Sequence, residues 1–262
     1  MSEESADHDE TERTTTRRNA LAVGSAAVAS VVGIGGAAVA GRAQDGGSAT
    51  VRIENVSTPS TLSTSGGSVP VPLSPGAYAV HTPDEPIWTN GEPERDNGLE
   101  EIAEDGKPMK LARSLNARRS VQEAGAFAVP VGADGPGPLL PGNAYEFTIS
   151  PEQNLLGAGR RLSFVTMFIQ SNDLFYAVGG ADGMALFEGR SLVTGDVTDR
   201  VGLYDAGTEI NQEPGVGEFQ APRQAELNQG DVERGTVAPI EQVNGYDYPP
   251  AEDVIRVTIT EN

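Results

Sequence analysis

Hydrophobic and polar residues alternate with a period of two in several short runs of the chain. Tyr145, Phe147 and Ile149 fall on one side, and Glu146, Thr148 and Ser150 on the other. Val51 and Ile53 alternate with Arg52 and Glu54 in the same way, as do Ile255, Val257 and Ile259 with Arg256, Thr258 and Thr260. This pattern predicts half-exposed strands whose sheets each keep one face in water. Residues 162–170 break the alternation. Leu162, Phe164 and Phe168 lie on one face and Val165, Met167 and Ile169 on the other, which predicts a central strand covered on both sides. Weaker strand patterns occupy residues 184–187 and 200–204. Asp96-Asn97 offers a cap for a short helix over 98–104, and residues 107–115 can continue it. The 32 glycines and 18 prolines fall between these runs rather than inside them, and residues 57–72 and 206–250 read as long loops. The expected fold class is therefore all-β: an antiparallel β-sandwich with long loops and one or two short helices, without internal repeats.

The N-terminus has a different character. A polar stretch from Met1 to Thr16 leads to Arg17-Arg18, followed by an uncharged run rich in Ala, Val and Gly. The order Thr16-Arg17-Arg18-Asn19-Ala20-Leu21 fits a twin-arginine export signal. Small residues at Ala38 and Ala40, or at Gly41 and Ala43, offer cleavage sites. The expected organisation is a signal over 1–43 and one domain over 44–262, secreted or held at the cell surface, with no stable membrane span after cleavage. The alternative is a retained anchor, since about 20 apolar residues can cross a bilayer. Six of the 38 acids and four of the 18 bases lie within residues 1–43, which leaves a net charge of −18 on the rest. Lysine occurs only at Lys107 and Lys110. Such charge suits a salt-rich medium, where the Debye length shrinks to about 3 Å at 1 M. It argues against nucleic acid as a partner, because no basic patch exists to meet phosphates. There is no cysteine, so no disulfide helps to hold the exported domain together.

The candidate chemistry is narrow. His81 is the one histidine after residue 43, and no Gly-x-Ser-x-Gly elbow accompanies it. Scarce His and absent Cys leave no evident ligands for haem, iron–sulfur or copper. Calcium needs only hard oxygens at loop ends. The central strand runs out in Gln170-Ser171-Asn172-Asp173, and the strand at 200–204 in Asp205-Ala206-Gly207-Thr208-Glu209. If residues 184–187 return between them, the two strands run the same way and finish at one rim. Asp173 then lies beside Asp205, and Gly207 lets the loop turn Glu209 back toward them. Converging carboxylates repel unless a dication neutralises them. The same residues are also ordinary turn formers.

Those two stretches, extended to Leu174-Phe175-Tyr176 and back to Tyr204, resemble the spondin N-terminal domain family. Asn97-Gly98-Leu99, Ala103-Glu104-Asp105-Gly106 and Leu162-Ser163-Phe164-Val165 match in order and approximate spacing. Leu73-Ser74-Pro75-Gly76 and the Pro-Gly-rich residues 136–142 are shared with microbial members. The resemblance spans residues 50–260. It implies an antiparallel β-sandwich with a calcium ion held by three acids, which fall on Asp173, Asp205 and Glu209. Animal members carry Asp at the position of Glu209 and Trp at that of Leu174. They also have cysteines and further repeat domains, so their matrix and integrin partners are not carried over.

The function expected from these readings is a non-enzymatic, calcium-binding adhesion or matrix-like module. Its partner would be an extracellular or cell-surface protein or polysaccharide. The alternatives are a secreted hydrolase of glycans or peptides working with carboxylates, and a purely structural surface component. Asn55-Val56-Ser57 is a glycosylation sequon, and Trp88 is either a binding anchor or part of the core.

Overall fold

The computed structural model describes residues 47–83, 87–151, 159–243 and 245–262, all within one unit, Ala43–Asn262. The expected signal over 1–43 lies outside the described residues. The chain begins with β1 (Ala49–Asn55), a small hairpin of β2 (Leu62–Thr64) and β3 (Gly67–Val69), and the long β4 (Leu73–His81). Two helices follow, α1 (Leu99–Asp105) and α2 (Met109–Asn116), then β5 (Val121–Phe127), β6 (Ala144–Ile149), β7 (Arg161–Phe168) and β8 (Leu174–Val178). Four two-residue strands come next: β9 (Met184–Ala185), β10 (Phe187–Glu188), β11 (Ser191–Leu192) and β12 (Gly195–Asp196). β13 (Val201–Asp205), the short β14 (Ala238–Pro239) and β15 (Ile255–Glu261) complete the set. Among the described residues no helix is long and apolar enough to cross a membrane.

Apart from the separate two-stranded ribbons β2-β3 and β10-β11, the strands form the two antiparallel sheets of a sandwich. The smaller has the order β12-β15-β1-β6 and the larger β14-β13-β8-β7-β4-β5, with β9 beside β7. The alternating runs are what register the smaller sheet. Val51 pairs with Ile259 on one side and Phe147 on the other, and Ile53 with Val257 and Tyr145, so all inward residues share one face. That face meets Phe164, Phe168, Tyr176 and Leu203 of the larger sheet in the main core. Aromatic rings knit the two sheets: Phe147 of β6 stacks on Tyr78 at 4.2 Å and on Phe127 at 5.2 Å between centroids.

The larger sheet is covered on its other face too, and this explains the doubly apolar run. Val165, Phe175 and Ala177 point away from the main core into a second one, formed with Leu99 and Ile102 of α1 and Leu111 and Leu115 of α2. Alanines at 77, 79 and 177 keep this side of the sheet low where the helices lie. β7 is buried from Leu162 to Phe168 because it is the strand between β8 and β4, with a layer above and a layer below. Trp88 is 1% exposed and packs edge-on to Phe175 at 5.1 Å, so it is part of this second core rather than a surface anchor.

Three strands depart from expectation. β4 begins in Leu73-Ser74-Pro75-Gly76, which carries the signs of a turn; a register shift between Leu73 and Gly76 accommodates the proline. β5 has too many polar and small residues to announce itself. The strand that returns beside β7 is Leu174–Val178, not residues 184–187, whose β9 merely pairs with the start of β7 at Arg161 and Leu162. The expected parallel sense of β7 and β13 nevertheless results, since β8 runs antiparallel to both.

Candidate metal centre

The site is built at the rim where β8 begins and β13 ends. Leu174 and Asp205 are register partners, so Asp173, one residue before β8, stands next to the last residue of β13. A tight turn from β7 sets Asp173 there: the Ser171 hydroxyl donates to the Phe168 carbonyl at 2.6 Å and accepts the Leu174 amide at 3.1 Å. The loop after β13 then folds over Asp173. Its Oδ2 accepts the Thr208 amide at 2.8 Å, the Glu209 amide at 3.0 Å and the Thr208 hydroxyl at 3.2 Å. Gly207 makes this turn possible. Its φ is +68°, and a Cβ there would sit 2.6 Å from the Thr236 nitrogen.

The two aspartates differ in how they are satisfied. Asp205 Oδ1 accepts the Gly207 amide at 2.6 Å and its Oδ2 accepts the Asn211 side-chain amide. Asp173 is fully buried, and its Oδ1 has no hydrogen-bond partner. Such an orphaned buried acceptor costs about 1–3 kcal/mol. Burial first, and the neighbouring Asp205 carboxylate second, hold the Asp173 carboxyl well above the usual range. Asp205 is raised as well, by burial, against the hydrogen bonds from Asn211 and Gly207. The two acids share one desolvated corner.

Glu209 reaches the same rim by its main chain. Its amide is on Asp173, but its carboxylate is turned to Asn172, whose Nδ2 donates to Oε2 at 3.4 Å. It packs so tightly on Gly230 that a Cβ there would lie 2.3 Å from Oε2. Burial raises its pKa, and the nearby acids that add to this are Asp105 and Glu100. Among the described residues, no group of three or more His, Cys, Asp or Glu side chains is arranged to hold a metal ion as it stands. The structure thus brings Asp173 and Asp205 together, while the Glu209 carboxylate is engaged by the Asn172 side chain.

A fourth acid joins from α1. Glu104 is buried, and burial pushes its carboxyl up to about 8, opposed by a hydrogen bond with the Thr208 side chain and reinforced by Glu209, Glu100 and Asp173. Thr208 therefore sits between Glu104 and Asp173. The sequence held no local sign of this. Leu99, Ile102 and Ala103 mark the buried stripe of α1, and Glu104 is covered by the loop that follows β13 rather than by its own helix face.

Elsewhere the candidate residues have structural roles. His81 Nε2 lies 2.8 Å from Ser163 Oγ and its Nδ1 2.7 Å from the Thr82 carbonyl, both side chains buried beneath Gly183. The pair ties the end of β4 to β7. Asn55 of the sequon is wholly buried: Nδ2 donates to the carbonyls of Val71 at 2.9 Å and Leu139 at 2.8 Å, and Oδ1 accepts from Ser57. In the folded domain it is an internal pin, closed to a glycan.

In comparisons with known proteins, no family model matches the chain and no curated protein matches it.

Proposed function

We propose that this chain is a non-enzymatic calcium-binding module, acting outside the cell or on its surface, in which the ion fixes the rim loops that meet a partner. One observation carries the reading. Asp173 is buried with an unpartnered carboxylate oxygen, and the charge it faces is a second acid, Asp205. A dication supplies what that corner lacks: it gives the orphaned oxygen a partner and removes the repulsion. Calcium suits the donors, which are all oxygens, better than metals that prefer nitrogen or sulfur. Asp173 and Asp205 would be direct ligands. Glu209 would join by turning its side chain away from Asn172, and Glu104 stands close enough to Thr208 to lend further charge. The resemblance to the spondin N-terminal family supports the same three acids, and the twin-arginine pattern at Arg17-Arg18 with the acidic composition supports the location.

Calorimetric titration with calcium, paired with melts in calcium and in chelator, tests the metal. At a calcium concentration of 100 times Kd the expected stabilisation is about 2.7 kcal/mol, or about 5–11 °C in Tm for a chain of this size. An identical melt in calcium and in chelator would sink the reading. The adhesive role is tested by pull-down from the native cell envelope. A protein or polysaccharide should be retained with calcium and released by chelator.

A further inference from the structure

We infer that the groove over β13 is a binding site for a basic peptide segment. Val201, Gly202 and Leu203 border it on one side, and Ile240, Glu241, Val243 and residues 245–252 line the rest, around a volume of about 510 Å³. That volume falls in the range of roughly 300–1,000 Å³ typical of sites for small ligands. Two of the chain's six tyrosines line it: Tyr246, 38% exposed, and Tyr248, half-buried against Phe168 with ring centroids 6.1 Å apart. Pro250, with φ −52° and ψ 146°, holds the wall extended beside them.

The charges of the groove have one sign. Glu241, Asp247 and Glu252 line it with exposed side chains, and no Lys, Arg or His does. Acids are common in this chain, so the carboxylates alone would mean little. Their combination with aromatic faces in a concave site is what selects a ligand. A guanidinium or ammonium laid across a tyrosine ring gains about 0.5–1 kcal/mol at an exposed site, and the carboxylates take up its N–H donors. The methylene stem of Arg or Lys would rest against Tyr246, Pro249 and Pro250. None of Asp173, Asp205 and Glu209 lines the groove, although Tyr248, which does, lies near enough to Asp205 and Asp173 to feel their charge, so the groove borders the candidate metal centre.

The test is calorimetric titration of the full chain with tri-arginine amide, with calcium present and ionic strength fixed. Tri-arginine should bind and tri-citrulline should not. The triple variant Glu241→Gln/Asp247→Asn/Glu252→Gln should weaken binding about tenfold, three screened contacts of about 0.5 kcal/mol each. Tyr246→Ala should weaken it about threefold. A control triple away from the groove, Asp134→Asn/Glu188→Gln/Glu226→Gln, changes total charge equally and should leave affinity unchanged. All these positions are exposed, and melts confirm folding. Equal weakening by the control triple would overturn the site, because binding would then follow net charge alone. So would equal affinity for tri-citrulline, or binding of a neutral oligosaccharide but not of tri-arginine.

Discussion

Replacing Asp173 with asparagine should change stability in opposite directions with and without calcium. In chelator the wild-type chain buries a carboxylate whose Oδ1 is unpartnered and whose neighbour is Asp205. Asparagine keeps one oxygen for the Thr208 and Glu209 donors and puts an amide NH2 where the orphan was. At a pH high enough to ionise the raised Asp173 carboxyl, that removes an unsatisfied acceptor and a like-charge contact, which together should stabilise the metal-free chain by about 1–2 kcal/mol, or about 2–8 °C. In saturating calcium the same change removes a charged ligand, and the metal-dependent gain of about 5–11 °C should be lost. Calcium should therefore raise the wild-type melt above that of the variant, and chelator should reverse their order. Differential scanning calorimetry in both buffers reads this directly. A variant destabilised to the same extent in calcium and in chelator would show that Asp173 serves only as a loop cap, and the argument from its orphaned oxygen would fail.

Three further outcomes follow from the geometry. Gly207→Ala forces a Cβ into the left-handed region and against the Thr236 nitrogen, and should cost at least about 1–2 kcal/mol in a denaturant melt. In chelator, stability should fall as pH rises. Glu104 has its pKa raised from 4.5 to about 8, so the folded state holds a proton that the unfolded chain releases; its share of the loss begins above about 4.5 and levels off above about 8. Glu104→Gln should lessen the fall in a pH series of melts, the raised Asp173, Asp205 and Glu209 supplying the remainder. Asn55→Ala takes one of two donors from each of the Val71 and Leu139 carbonyls and the acceptor from the Ser57 amide, and should destabilise by about 1–3 kcal/mol, while mass spectrometry of natively folded protein should find no glycan at Asn55.

The fold was legible where burial imposes a period. β1, β6 and β15 each have one wet face, so each declares itself by alternation, and β7 by having no wet face at all. β8 was hidden for a related reason. Its five residues are all buried, and a run that short has no period to distinguish it from the end of a neighbouring element. The layer of helices against the larger sheet was only partly legible, because its evidence lies in small residues on separate strands, such as Ala77 and Ala177 on either side of Val165, rather than in any one segment. At the rim, the strand directions and the turn residues put Asp173 and Asp205 together. The orientation of the Glu209 side chain depends on Asn172 and Gly230, which are 37 and 21 residues away in sequence, so no local pattern encodes it.

The enclosure of Asn55 also carries a message about timing. A transferase that meets this chain before β1 has docked against the Val71 and Leu139 segments finds an open acceptor, and a sugar added there would leave no room for the two carbonyls the side chain must reach. One that arrives afterwards finds nothing. Occupancy at this single position would thus record whether the polypeptide was still loose or already closed when it first encountered the modifying machinery.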